Sequence, residues 1–78
     1  MNKYGDIKRF DKEKLGDFLK KARRNAKLSR RKAAEKLFIN EYSLKNYENG
    51  YNVPKTECML AMAKLYGFGM DILYAFLA

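Results

Sequence analysis

Residues 28–50 read LSRRKAAEKLFINEYSLKNYENG, and this stretch decides the fold. Its apolar residues recur three and four positions apart, which is the spacing of one face of a helix. Two small polar residues, Ser29 and Asn40, each stand just before such a run, where a side-chain oxygen can cap the first free amides of a helix. The stretch therefore predicts two short helices, 30–37 and 41–48, joined by a tight turn.

The seam between these two helices is thin and apolar. A small side chain at Ala34 lets the helices cross steeply, because bulk at the point of closest approach would push them apart. The residues expected to face inward are Ala33, Ala34, Leu37, Ile39, Leu44 and Tyr47. The result has the build of a helix-turn-helix, in which the second helix enters the major groove of DNA.

Three more helices are predicted around this pair, so the fold class is all-α. We expect an N-terminal arm over residues 1–10 and one domain over 11–78, with helices at about 11–26, 30–37, 41–48, 56–66 and 70–76. The first helix carries a stripe of Leu15, Phe18, Leu19, Ala22 and Ala26, and the fourth a stripe of Met59, Met62, Ala63 and Tyr66. Residues 1–10 either pack Tyr4, Ile7 and Phe10 on the domain, form a short strand, or are a loose arm. Such an arm could follow a DNA groove with Lys3, Lys8 and Arg9.

Composition excludes several function classes. Of the 78 residues, one is cysteine and none is histidine, so an internal disulfide is impossible and most zinc sites and general bases are removed. The first ten residues are polar, and no apolar run approaches the ~20 residues of a membrane span. We therefore expect a cytoplasmic protein that is not an enzyme, with no catalytic residue, metal or cofactor and no membrane contact.

The charge balance favours a nucleic-acid partner. Lys and Arg number 17 against 9 Asp and Glu, a net charge of +8, which attracts polyanions and releases their counterions on binding. The basic residues crowd at the end of the first helix and the start of the second. They are Lys20, Lys21, Arg23, Arg24, Lys27, Arg30, Arg31 and Lys32.

From Leu15 to Tyr74 the chain resembles the Cro-like and phage-repressor helix-turn-helix domains. The segments that carry the resemblance are LGDFLKKAR, LSRRKAAEKL, YENG, the proline at position 54 and LAMAKLYGFGMDIL. The resemblance implies the five-helix fold of lambda-repressor-like domains. It also implies a transcriptional regulator, most often a repressor, that binds double-stranded DNA as a homodimer on a palindromic operator.

The resemblance also implies roles for individual residues. Those expected to read bases are Glu41, Tyr42, Ser43 and Asn46. Those expected to contact phosphates are Ser29, Arg30, Arg31, Lys45, Asn49, Tyr51 and Lys55. Arg23 and Glu48 occupy the positions of a structural ion pair in this family.

Two positions depart from the family pattern. Lys27 and Phe38 stand where helix 1 and the helix-turn-helix turn normally have glycine. Glycine is favoured there because the backbone is left-handed, so each substitution implies strain or an altered geometry. Glu41 is a third unusual residue, since DNA repels it unless it accepts a hydrogen bond from a cytosine amino group.

The C-terminal tail suggests how two copies would associate. Its apolar residues exceed what one small core needs, and the interface is expected at Leu65, Met70, Tyr74, Phe76 and Leu77. The alternative is that this tail only completes the core. Other functions also stay open on this scaffold: an antitoxin-like or other protein-interaction module with a protein partner, or a restriction-modification controller protein.

Overall fold

The computed structural model describes residues 9–77 and contains four α-helices followed by a 3₁₀-helix. The helices are α1 (Lys12–Asn25), α2 (Arg30–Leu37), α3 (Glu41–Glu48) and α4 (Thr56–Tyr66), and the 3₁₀-helix is Met70–Phe76. The prediction of an all-α fold with five helices is confirmed. The last helix is wound more tightly than an α-helix, with i to i+3 hydrogen bonds such as Ile72 N–H to Gly69 O at 3.2 Å.

The two ends of the described chain meet. Phe10 and Leu77 form an isolated antiparallel bridge, and the Asp11 N–H donates to the Phe76 carbonyl at 2.6 Å. The predicted N-terminal arm lies outside the described residues except for Arg9 and Phe10. Backbone pairing therefore fixes the entry to α1 against the exit of the 3₁₀-helix.

Side-chain caps begin the first three helices, because each N-terminus leaves amides without a partner within the helix. The Asp11 carboxylate accepts from Lys14 N–H at 3.2 Å, and the Ser29 hydroxyl accepts from Lys32 N–H at 3.1 Å. The Asn40 side-chain oxygen accepts from Ser43 N–H at 2.7 Å. α4 follows buried Pro54 and begins without a side-chain cap.

All four α-helices end in the same hydrogen-bonded motif, with one residue in the left-handed region. The amide after that residue reaches back to a carbonyl five positions earlier, as in the Schellman motif. These bonds run from Leu28 to Arg23 at 3.2 Å, from Ile39 to Ala34 at 3.1 Å, from Tyr51 to Asn46 at 3.0 Å and from Phe68 to Ala63 at 3.0 Å.

The left-handed residue is glycine at only two of these four ends. Gly50 and Gly67 have φ of 81° and 85°, whereas Lys27 and Phe38 have φ of 64° and 58°. The family geometry is therefore retained without glycine at α1 and α2. The steric cost of a side chain in this region falls on Lys27 and Phe38.

The core lies where α1, α2, α3 and α4 converge, and the 3₁₀-helix closes it with Leu73. Its most deeply buried large side chains are Leu15, Leu19, Leu44 and Met62. Ile39, Tyr47 and Tyr66, expected to face inward, are only partly buried and pack against this core from its edge.

Gly16 marks the closest approach of α1 and α3. A Cβ placed there would lie 2.6 Å from the Tyr47 carbonyl oxygen and 2.7 Å from that of Glu48. Since both neighbours are backbone atoms, they cannot move aside cheaply. The absence of a side chain at this position is what lets the end of α3 rest on α1.

No single helix within residues 9–77 combines the length and the apolar composition needed to cross a membrane. α4 and the 3₁₀-helix meet that criterion only when taken together, and they are bent by 116° relative to each other. Both contribute buried side chains to the core, among them Met59, Met62 and Leu73.

Candidate nucleic-acid interface

α3 has one buried and one outward-facing side. Leu44 and Glu48 are buried, one turn apart, against the rest of the domain. The residues predicted to read bases lie elsewhere on the helix: Glu41 and Tyr42 are exposed, and Ser43 and Asn46 are half-exposed. The structure thus places all four on or next to the free side of α3.

A buried ion pair holds α3 to α1. Arg23 Nε donates to Glu48 Oε2 at 2.6 Å, and a second guanidinium nitrogen donates to Oε1 at 3.0 Å. Arg23 also donates to the Leu28 carbonyl at 2.8 Å, which ties the loop before α2 to the same centre. The hydrogen bond to Glu48 raises the pKa of Arg23, so its charge persists at any pH the fold survives.

Arg30 joins this pair from the first turn of α2. Its Nε lies 3.4 Å from Glu48 Oε1, and its side chain is 28% exposed. The sequence predicts a phosphate contact for Arg30 but gives no sign of its contact with Glu48, because no pattern within one helix shows it. By contrast Arg31 is 83% exposed, and within residues 9–77 its ion pair is with Glu35, at 3.8 Å. The two neighbouring arginines therefore differ in their surroundings: Arg30 contacts a buried carboxylate, whereas Arg31 projects into solvent.

The other residues predicted to contact phosphate lie on α3 and on the loop that follows it. Lys45, Asn49, Tyr51 and Lys55 are all exposed. Ser29 is exposed as well, although its hydroxyl is engaged in capping α2. The first turn of α2, the outer side of α3 and the loop to α4 thus present cations and amides around the free side of α3.

Comparison with known proteins identifies this arrangement. Residues 16–75, from α1 to the 3₁₀-helix, match the family of the helix-turn-helix domain. The chain belongs to this helix-turn-helix family. The predicted membership of the Cro- and phage-repressor-like class is confirmed.

A curated relative supports the same assignment. The helix-turn-helix domain is 42% identical over 59 residues to the HTH-type transcriptional regulator ImmR of Bacillus subtilis (strain 168). The alignment covers 76% of this chain and 46% of the relative, so the chain spans about half the length of that protein.

The helix-turn-helix fold is also found in a solved structure. The crystal structure of the clp gene regulator ClgR from C. glutamicum superposes with a TM-score of 0.75 over 94% of this chain and 99% of that one. The two sequences are 18% identical, so this likeness concerns the fold.

Three exposed aromatic residues border α3 of the helix-turn-helix. Phe38 is 93% exposed in the turn, Tyr42 is 71% exposed on α3, and Tyr51 is 67% exposed just after it. The sequence predicts the strained backbone at Phe38, whereas the exposure of its ring was not predicted. One sign of this exposed ring was available in the sequence. An aromatic residue stands at a position where the turn favours glycine, so the geometry of the turn does not account for the side chain.

The residues predicted to form a dimer interface divide into two groups. Met70, Tyr74 and Leu77 line a mostly apolar groove of about 460 Å³, together with Phe10, Leu73 and the acidic Asp71. Phe76 instead packs on Phe18, with ring centroids 5.2 Å apart. Leu65, like Phe76, is partly buried against the core of the same chain.

Two partly buried side chains of α4, Tyr66 and Cys58, have altered acidity. The Tyr66 hydroxyl is buried with no hydrogen-bond partner among the described residues. Burial, followed by the charge of Glu48, raises the pKa of Tyr66 well above its usual value. Burial also raises the pKa of the Cys58 thiol, which keeps it protonated and poorly nucleophilic at neutral pH.

Proposed function

We propose that this chain is a sequence-specific DNA-binding transcriptional regulator whose recognition helix is α3. The observation that carries the proposal is the two-sidedness of α3: it is anchored through Leu44 and Glu48 and presents Glu41, Tyr42 and Asn46 outward. Membership of the helix-turn-helix family and the regulator ImmR as a relative support it. The net charge of +8 supplies the attraction to a polyanion.

Phosphate contacts would fix the position of the domain on DNA. Arg31, Lys45 and Lys55 are exposed and can reach backbone oxygens, and the free amides at the start of α2 favour an anion. Arg30, already braced by Glu48, would offer its remaining nitrogens in a fixed direction. Such contacts carry affinity but little sequence information.

Base contacts would come from the outer side of α3. The Asn46 amide suits a bidentate contact to adenine, and the Glu41 carboxylate suits the amino group of cytosine. Tyr42 can pack on a thymine methyl group or donate to a phosphate, and Ser43 can bond to several bases. Each good bidentate contact is worth about 1–3 kcal/mol of discrimination.

One domain of this size contacts too little DNA for tight operator binding, so the proposal includes a homodimer. Tyr74 and Leu77 are 75% and 41% exposed and border the apolar groove, whereas Phe76 and Leu65 would add only the parts that the core leaves uncovered. Two copies would read half-sites about 34 Å apart on one face of the duplex. Occupation of a promoter in this way would block polymerase, which is the action of a repressor.

Selection of bound duplexes from a random pool tests the proposal. The native chain should enrich a palindromic consensus, and Asn46→Ala should change the consensus at one position in each half. Arg31→Gln should weaken binding to all sequences and lower the salt slope by about one. Lys64→Gln, which changes an exposed charge on α4, is the matched control.

The outcomes separate the candidate functions. Enrichment of no duplex at low salt, or binding indifferent to ionic strength, would contradict phosphate-driven recognition. Such a result would favour the alternative of a protein-interaction module on the same fold.

A further inference from the structure

We propose that Phe38 is a specificity-determining residue, and that its ring packs on the methyl group of a thymine beside the bases read by α3. This inference rests on the proposed function and extends the contact surface from the recognition helix into the turn before it. It gives the Phe38 side chain a role in DNA recognition, since the ring makes almost no packing contribution to the isolated domain.

Exposure is the first observation. Phe38 is 93% exposed, more than any other large hydrophobic residue described as exposed in residues 9–77. A phenylalanine in that state gains no burial and leaves its whole apolar ring in water. Packing within the domain therefore does not explain the ring.

Backbone strain is the second observation, and it is independent of the first. Phe38 has φ of 58° and ψ of 38°, a conformation that glycine adopts freely and that L side chains resist. The same motif ends α3 and α4 with Gly50 and Gly67. A residue that is both strained and unpacked is a candidate for a role outside the fold.

Position identifies the partner. Phe38 lies two residues before Asn40, the cap of α3, and four before exposed Tyr42. The start of α3 is the part that would enter the major groove. In that groove the apolar group offered by the bases is the C5-methyl of thymine. An aromatic ring just before the N-terminus of the recognition helix can make an apolar contact with that methyl group.

Two variants remove the ring without harming the turn. Phe38→Gly and Phe38→Asn both suit a left-handed residue, so both should raise the melting temperature of the free protein. Both should bind the selected operator about tenfold more weakly, the size expected for the loss of a buried aromatic contact. Stability and affinity would thus move in opposite directions, which a merely structural residue cannot produce.

A second arm tests the methyl group itself. Replacing operator thymines one at a time with uracil removes only that methyl. At one position in each half-site the replacement should weaken the native protein and leave Phe38→Gly unaffected. Lys27→Gly is the matched control, because it relieves the same strain at the end of α1 and should keep the full response to uracil.

Equal affinity of the native protein and both Phe38 variants would overturn the inference while leaving the proposed function intact. A weaker Phe38→Gly that still responds to every uracil as the native protein does would overturn the assignment to thymine. Failure of the native chain to select any duplex would instead count against the proposed function on which the inference rests.

Discussion

Arg23 in α1 donates two hydrogen bonds, of 2.6 and 3.0 Å, to the carboxylate of Glu48 at the end of α3, and both residues are buried. The Glu48 side chain is fully buried. Arg30 Nε donates to the same carboxylate, at 3.4 Å from Oε1. One acidic group thereby sets the direction of the proposed recognition helix and of a proposed phosphate contact.

Removing one half of this pair should destabilise the fold strongly. Arg23→Met leaves Glu48 buried beside Arg30 alone, and the loss of a buried partner typically costs about 3–5 kcal/mol of unfolding free energy. Urea unfolding followed by circular dichroism measures it. The double variant Arg23→Met/Glu48→Met should lose much less than the sum of the single changes, and strict additivity would contradict a coupled pair.

Gly16→Ala should destabilise the domain although alanine is the better helix former. The added Cβ would press on the carbonyl oxygens of Tyr47 and Glu48, and overpacking of this kind costs about 1–3 kcal/mol. Thermal unfolding gives the sign directly. Asp17→Ala, exposed on the same helix, is the control and should stay within about 0.5 kcal/mol of the native protein. A gain for Gly16→Ala would show that α1 and α3 are less close than described.

Lys27→Gly should stabilise the fold. A side chain at positive φ costs about 1–2 kcal/mol, and the greater freedom of glycine in the unfolded chain returns part of that, leaving a net gain of about 0.5–1 kcal/mol. Lys27→Ala separates the backbone effect from the charge, since alanine removes the ammonium group but keeps the Cβ. If both variants gained similar unfolding free energy, the stabilisation would come from loss of the charge and not from the backbone.

Alkaline pH should weaken the fold through Tyr66. Its pKa is raised in the folded protein, chiefly by burial, whereas the unfolded chain ionises near pH 10. The unfolded state therefore releases this proton first, so the stabilisation is complete below about pH 10 and declines as the pH rises further. The midpoint of urea unfolding at pH 7 and at pH 10.5 measures the loss.

The variant Tyr66→Phe assigns that loss to the phenol. It removes a hydroxyl without a hydrogen-bond partner, so it should be at least as stable as the native protein at pH 7 and decline less at pH 10.5. Tyr51→Phe, at a 67% exposed tyrosine outside the proposed dimer interface, is the matched control. An identical decline in native protein and Tyr66→Phe would exclude Tyr66 as its source.

Local chemistry made much of the fold predictable. Ser29 and Asn40 are short polar residues before amphipathic runs, and both cap helices as expected. The glycines at 50 and 67 end α3 and α4 because a left-handed residue is needed there. Such features depend on a few neighbouring residues, so one sequence is enough to reveal them.

Most features that depend on distant parts of the chain were not predicted, and the Arg23–Glu48 pair was expected only from the family resemblance. The contact of Gly16 with α3, the reach of Arg30 to Glu48 and the pairing of Phe10 with Leu77 each need the final packing. The tight winding of Met70–Phe76 is a further case, since its apolar spacing suits an α-helix and its hydrogen bonds follow another pattern. For the close approach of α1 and α3 the sequence offered one local sign, which is that Gly16 lies within an otherwise helical run.

The bridge between Phe10 and Leu77 places the start and the end of the helical domain next to each other. A short linker across this junction would therefore allow circular permutation, with new termini opened after exposed Asn52, beyond the hydrogen bond from Tyr51 that ends α3. For the same reason the unit from Phe10 to Leu77 would tolerate insertion into a surface loop of another protein, because these two residues lie side by side.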